Sequence, residues 1–163
     1  MATRPQTFWD DIEIGRRLET GSITLNARNI GVFARRFDPQ PYHLDREAGE
    51  ASLFGGLCAS GWHVSAMMMK LVSDGLEDAN IPLLGTGKVN WLEWYRPAFD
   101  GDTLSAHVTV SGKSRPGKSS GPDDHGLVEC DIEVLNQNGK KVMALSTFLM
   151  IALGDAETGE AAR

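Results

Sequence analysis

The chain has 163 residues, 41% of them hydrophobic and 23% charged, and its 22 acidic and 16 basic side chains give a formal net charge of −6. That suits one globular domain with enough apolar material for a core, and the lack of any Lys/Arg-rich run argues against a nucleic-acid partner. No apolar run approaches the roughly 18 residues of a membrane helix, and the acidic start holding Asp10, Asp11 and Glu13 is no secretory signal.

The two cysteines, Cys58 and Cys130, lie far apart in apolar surroundings with no metal-type spacing. They read as reduced, buried thiols of a cytoplasmic protein, with neither a metal nor a cofactor expected.

In chain order, Thr24 is placed to cap a first helix in which Ile30, Phe33 and Phe37 recur at helical spacing, with Arg28, Arg35 and Arg36 turned elsewhere. Asp38-Pro39-Gln40-Pro41 must stop it, because proline lacks the N–H and disfavours helical geometry in its predecessor. A short helix restarts after Asp45, with Glu47 and Glu50 in it, and ends at Gly55-Gly56. Ser60 then caps a central helix, apolar nearly all round from Trp62 to Val72 and including Met67, Met68 and Met69, with Ser73-Asp74-Gly75 as its stop. Such a helix is buried and needs something to wrap it.

The second half supplies the wrapping. Val89 to Tyr95 reads as a strand closed by Arg96-Pro97. Leu104, Ala106, Val108 and Val110 alternate with Thr103, Ser105, His107 and Thr109, the pattern of a half-buried strand. Val128, Cys130, Ile132 and Val134 alternate in the same way, and Asn138-Gly139 turns the chain into a long strand from Lys141 to Leu153. Gly112 to Gly126 is a polar connection that includes His125. The expected architecture is α+β, a curved antiparallel sheet around one long helix, with a single domain over residues 1–153 and a flexible tail over 154–163.

Three short strings carry chemistry on paper. Gly112 to Ser119 fits the P-loop pattern, but Ser120-Gly121-Pro122 follows where a helix would have to begin. Gly117-Lys118-Ser119-Ser120-Gly121 imitates a nucleophile elbow without its strand–turn–helix setting. Cys58 precedes the central helix, yet its apolar neighbours Leu57 and Ala59 and the lack of a partner base favour a plain buried side chain. His63 and His107 read as packed and surface residues respectively.

The segment Asp38-Pro39-Gln40-Pro41-Tyr42-His43-Leu44-Asp45 stands apart. Two prolines hold an acid and an imidazole five residues apart on a bent, largely non-helical backbone, where both could reach one water and move its protons. The alternative is a helix-terminating turn in which Asp38 caps and His43 packs; spacing alone leaves both open.

At these residues the chain resembles the MaoC-like dehydratase family, which includes the (R)-specific enoyl-CoA hydratases. The family's Gly-Asp-x-Asn-Pro-aliphatic-His, with an Asp two residues after the His, reads here Phe37-Asp38-Pro39-Gln40-Pro41-Tyr42-His43-Leu44-Asp45. A second block runs Phe54-Gly55-Gly56-Leu57-Cys58-Ala59-Ser60-Gly61, and a third Trp94-Tyr95-Arg96-Pro97-Ala98-Phe99-Asp100-Gly101-Asp102. The likeness covers about Phe8 to Leu153. Four family positions are changed: Phe37 for Gly, Gln40 for Asn, Tyr42 for an aliphatic residue, and Ser60 for His.

The resemblance implies a hotdog fold and an acyl-CoA hydratase or dehydratase acting on a trans-2-enoyl thioester. Asp38 and His43 would activate water, and the backbone N–H of Gly61 would polarise the thioester carbonyl, as a helix start can. Gln40, Tyr42, Ser60 and Trp62 would border the substrate, and Lys88, Arg96 and Lys113 are candidates for the CoA phosphates. A homodimer, or an assembly of dimers, is implied as well. The competing readings are a hotdog thioesterase and a non-catalytic acyl-CoA-binding protein.

Overall fold

The computed structural model describes residues 6–115 and 125–154. After a 3-10 turn at Trp9–Asp11, the elements are β1 (Arg17–Thr24), α1 (Ala27–Phe37), α2 (Pro41–Leu44), α3 (Arg46–Glu50), α4 (Gly61–Asp78), β2 (Leu83–Trp94), β3 (Thr103–Ser114), β4 (His125–Leu135) and β5 (Lys141–Ala152). The strands form one antiparallel sheet in the order β1-β3-β4-β5-β2. It curves around α4, which makes the architecture the expected α+β hotdog fold. No helix among the described residues is long and apolar enough to cross a membrane.

Alternation decides which face of the sheet meets α4. Leu104, Ala106, Val108 and Val110 of β3 point inward with Val128, Cys130, Ile132 and Val134 of β4, and all are buried. From β5, Leu145, Leu149 and Ile151 complete this layer, and α4 packs Val64, Met68, Leu71, Val72 and Leu76 onto it. Each such side chain contributes roughly 1.5–3 kcal/mol on burial, so this layer is the main source of stability.

Several expectations need correction. Thr24 does not cap α1; it ends β1, with its hydroxyl 2.8 Å from that of Thr103, and Asn26 caps instead by accepting the Asn29 N–H at 2.9 Å. The buried face of α1 is Ile30, Gly31 and Ala34, while Phe37 is 66% exposed and meets the Phe33 ring at a tilt and the Arg36 guanidinium over its face. Small residues let this helix sit close to its neighbours, which an aromatic face would prevent.

The central helix does not stop at Ser73-Asp74-Gly75 but continues to Asp78. A Cβ on Gly75 would lie 3.3 Å from Thr20 Cγ2 and 3.4 Å from Leu18 Cδ2, so this glycine serves close packing on β1. The chain turns at Asn80, whose φ of 55° is left-handed. Trp62, 61% exposed, also shows that the helix is not wrapped on every side.

β2 begins at Leu83, earlier than expected, and pairs with β5 through three irregularities of register. The polar connection is shorter than expected: β3 runs to Ser114, and His125 opens β4 as a buried residue. Residues 116–124 and 155–163 lie outside the described residues, and with them the second half of the P-loop-like string, the elbow-like string and nearly all of the expected tail. The described start of the P-loop-like string, Gly112 to Ser114, lies inside a strand.

Candidate active site

The site begins where α1 ends. Asp38 is the C-cap of α1, its N–H donating to Ala34 O at 2.9 Å, and its φ of −154° turns the chain out of the helix. The chain turns tightly at Pro39, with the Gln40 N–H donating back to Asp38 O at 2.8 Å; Gln40 itself is extended, and Pro41 then occupies the first position of α2, where a missing N–H costs nothing. The segment is therefore less open than its prolines suggest: one helical turn carries Tyr42 and His43. Asp45 ends that turn and caps α3, accepting the Ala48 N–H at 2.9 Å, as its position implied.

His43 is buried, with one ring nitrogen tied to the backbone and the other facing an acid. Nδ1 is 2.7 Å from the Cys58 carbonyl oxygen. A carbonyl only accepts, so Nδ1 carries the hydrogen and Nε2 is the basic nitrogen of the neutral ring. Nε2 faces Asp38 Oδ2 at 3.5 Å. That is too long for a direct hydrogen bond, so both groups keep capacity for a shared third partner. The Asp38 side chain is 26% exposed and His43 only 7%, so the acid opens the pair to its surroundings.

Cys58 contributes its backbone. Its carbonyl fixes the His43 tautomer, and the bridge Cys58↔Phe99 with Ala59 N–H to Ala98 O at 2.8 Å anchors this stretch to the loop after β2. The thiol lies 3.7 Å from His43 Nδ1, and burial pushes its pKa up, which keeps it neutral and unreactive. No sequence signal marks this role, because every residue has a carbonyl.

Gly61 opens α4, beside Ser60, whose hydroxyl accepts the Trp62 N–H at 3.3 Å. The first N–H groups of a helix have no intrahelical acceptor and point out with the positive end of its dipole. A Cβ here would sit 2.8 Å from Trp94 Cε2, so only glycine lets the indole lie against the helix start.

A cavity of about 300 Å³ lies between these parts, lined among others by Tyr42, His43, Phe54, Gly61, Trp94 and Arg96. Of the residues singled out from sequence, it gathers Tyr42, His43 and Gly61, with Asp38 joined through His43. Gln40, Ser60 and Trp62 are outside its wall; Trp62 instead meets Trp94 edge-on at 5.0 Å. Phe54 and Trp94 also line the wall, and of the two only Trp94 has a signal in the sequence, the glycine at the helix start that its ring needs.

The remaining histidines do other work. His63 is buried against Phe33, ring centroids 4.7 Å apart and nearly parallel at 7°. Its Nδ1 is buried without a hydrogen-bond partner. Burial, and secondarily His43 nearby, hold its pKa below the usual histidine value. His107 is half-buried on the polar side of β3, opposite Glu19 and Glu133. Among the described residues no group of three or more His, Cys, Asp or Glu side chains could hold a metal ion.

A family profile described as MaoC like domain matches residues 11–123. The chain is 30% identical over 134 residues to the uncharacterized protein YdeM of Bacillus subtilis (strain 168), covering 82% of this chain and 90% of that one. It is similar to the crystal structure of the MaoC-like dehydratase from Rhodospirillum rubrum, at 37% identity and a TM-score of 0.76, over 91% of this chain and 98% of that one. The unliganded R-hydratase PhaJ1 from Pseudomonas aeruginosa shares the fold at 23% identity and a TM-score of 0.65, with 96% of each chain covered.

Proposed function

The chain belongs to the MaoC-like domain family, and from that premise we propose that it adds water to, or removes it from, the double bond of a trans-2-enoyl-CoA. The observation that carries this reading is the His43 ring, locked through Nδ1 to the Cys58 carbonyl with Nε2 turned to Asp38. A carboxylate and an imidazole nitrogen 3.5 Å apart can both reach one water beside them, which is what hydration needs.

In the hydration direction, one water lies beside the pair, within hydrogen-bond reach of both Asp38 Oδ2 and His43 Nε2. Asp38 takes one proton as the oxygen bonds to C3 of the enoyl group, and the carbon–carbon π electrons move toward the thioester oxygen. The Gly61 N–H receives that developing negative charge, where a fixed donor at a helix start acts without reorganisation. His43 orients the water and helps carry the proton, which is returned to C2 on the same face. Dehydration is the reverse.

A thioesterase would need a carboxylate aimed at the thioester carbonyl, and α4, whose start meets that carbonyl, carries no acid before Asp74. Tyr42, Phe54 and Trp94 narrow the cavity, which favours short or compact acyl groups. A second copy would pair along β2, the sheet edge that exposes Val89 at 47% and Trp91 at 46%. Unpaired strand edges of this kind are managed by covering them. Sedimentation should then find a dimer, and a fully active monomer would rule that pairing out.

The reaction is tested by following loss of the enoyl-thioester absorbance with crotonyl-CoA, then with longer, branched and carboxylated acyl groups. Hydration of at least one of them is expected. If the folded protein hydrates none of them, the reading fails.

A further inference from the structure

Arg96 is the one permanently charged residue in the cavity wall. Its Nε donates to the Lys141 carbonyl oxygen at 2.9 Å, which fixes the plane of the guanidinium. Among the described residues no carboxylate pairs with it. The carboxylates on neighbouring elements are otherwise engaged. Glu133 takes the Lys141 ammonium, Asp100 takes Arg46, and Glu93 accepts the hydroxyl of Tyr95, which holds that phenol above its usual range. Lys141 is thereby neutralised while Arg96 is not.

An unpaired guanidinium with two terminal nitrogens free is a fork shaped for a planar or tetrahedral anion. Arg96 is solvent-exposed at the mouth of the cavity, so an anion arriving from solution can reach the fork. The other basic candidates are not at this cavity. Lys113 Nζ is held by the Ile12 carbonyl at 2.6 Å and lies 4.2 Å from the centre of the Trp9 ring. Lys88 borders a separate groove with Phe148 and Met150, which alternate with the inward Leu149 and Ile151 and so face away from α4.

We propose that the Arg96 guanidinium at the cavity wall, tethered by Lys141 O and left without a carboxylate, binds an anionic group of the substrate. The inference rests on the enoyl-thioester reading for the identity of that substrate. The shared chemistry is an oxyanion with two acceptor oxygens. Its two possible sources are a phosphate of coenzyme A and a carboxylate carried on the acyl group.

The test compares wild type, Arg96→Gln and Arg96→Lys on four thioesters: crotonyl and a carboxylated enoyl group, each on coenzyme A and on N-acetylcysteamine, which carries no phosphate. Loss of the charge-assisted bonds should raise KM for anion-bearing thioesters about tenfold or more in Arg96→Gln. Arg96→Lys keeps a charge without the fork and should fall between. A loss confined to the coenzyme A thioesters identifies phosphate as the anion. A loss confined to the carboxylated acyl group, on both carriers, identifies the carboxylate. Unchanged KM on all four, or an equal loss on neutral crotonyl N-acetylcysteamine, overturns the inference.

Calorimetric binding of butyryl-CoA and succinyl-CoA separates this result from that of the proposed reaction. If wild type hydrates nothing, a Kd that rises in Arg96→Gln and falls back in Arg96→Lys keeps the anion site while the reaction is lost. If Kd is unchanged in both variants, the anion site is lost whatever the wild-type rate. Thermal melts establish that the variants compared are folded, and Arg96→Lys carries the comparison should Arg96→Gln not fold.

Discussion

At its C-terminal end α4 presents Met68, Leu71, Val72 and Leu76 to the sheet, each 6% exposed or less. At its N-terminal end the same helix leaves Trp62 61% exposed, keeps a buried His63 nitrogen without a partner, and presses Gly61 onto an indole. A core side chain contributes roughly 1.5–3 kcal/mol, whereas an unpaired buried polar atom costs about 1–3 kcal/mol. One orphaned nitrogen thus offsets about one core residue. Such costs gather at the end that faces Asp38 and His43, which is where stability is expected to yield to chemistry. The comparison makes a claim that can be broken: changes at one end should cost activity, and changes at the other should cost stability.

The largest expected effect is at the dyad. Asp38→Asn keeps shape and hydrogen bonding but removes the base, and kcat on the preferred enoyl-CoA should fall by roughly 10²- to 10⁴-fold. At 1.36 kcal/mol per tenfold that is about 2.7–5.4 kcal/mol of barrier. The melting temperature should hardly move, because Asp38 caps α1 with its backbone rather than its carboxylate. His43→Ala should cost a similar factor in kcat, and the double variant little more, since groups that act together are non-additive. A near wild-type rate with a lowered melting temperature would reduce Asp38 to a turn residue.

Leu71→Ala should behave in the opposite way. The side chain is 3% exposed in the main core, so denaturant melts should show a loss of about 2–5 kcal/mol. Activity per folded molecule should persist. If kcat falls as far as it does for Asp38→Asn, the two ends of the helix are not separable. Gly61→Ala sits between them in character and below both in size. Its Cβ would lie 2.8 Å from the Trp94 ring, and overpacking of that kind costs about 1–3 kcal/mol. Adding Trp94→Leu should restore the melting temperature, and failure to do so would mean that the indole is not what excludes a side chain.

The same division governs what could be read in advance. β3 and β4 each bury one face, so period-2 alternation announces them. β5 is buried on both faces from Val142 to Thr147 and is announced instead by the Asn138-Gly139 turn before it. β1 had no such signal: its register slips between Glu19 and Ser22, and most of its residues are exposed. The length of α4 past Gly75 and the small-residue face of α1 are tertiary facts, set by what packs on them. Asp38, His43 and Gly61 were legible as residue types in a familiar order. The Cys58 carbonyl, the Trp94 ring against Gly61 and the unpaired Arg96 were not, because each is defined by a neighbour far away in the chain.

His63 gives the smallest and most specific prediction. Its folded-state pKa lies below the usual 6.5, first because burial disfavours the charged ring and second because His43 is close. Between that lowered value and 6.5 the unfolded chain binds more protons than the folded one, so stability must fall as pH drops through this window. Above 6.5 both states are neutral at this position and it contributes no slope. Phenylalanine keeps an aromatic ring to stack on Phe33 and removes both the titration and the orphaned Nδ1. In denaturant melts from pH 7.5 to 5, His63→Phe should therefore match or exceed wild type at high pH and lose less stability on acidification. The dyad still has its own histidine, so the activity of the variant at pH 7.5 should survive. Parallel stability curves would show that His63 is already solvated when charged, and a collapse of kcat at pH 7.5 would move His63 from packing into the chemistry of the site.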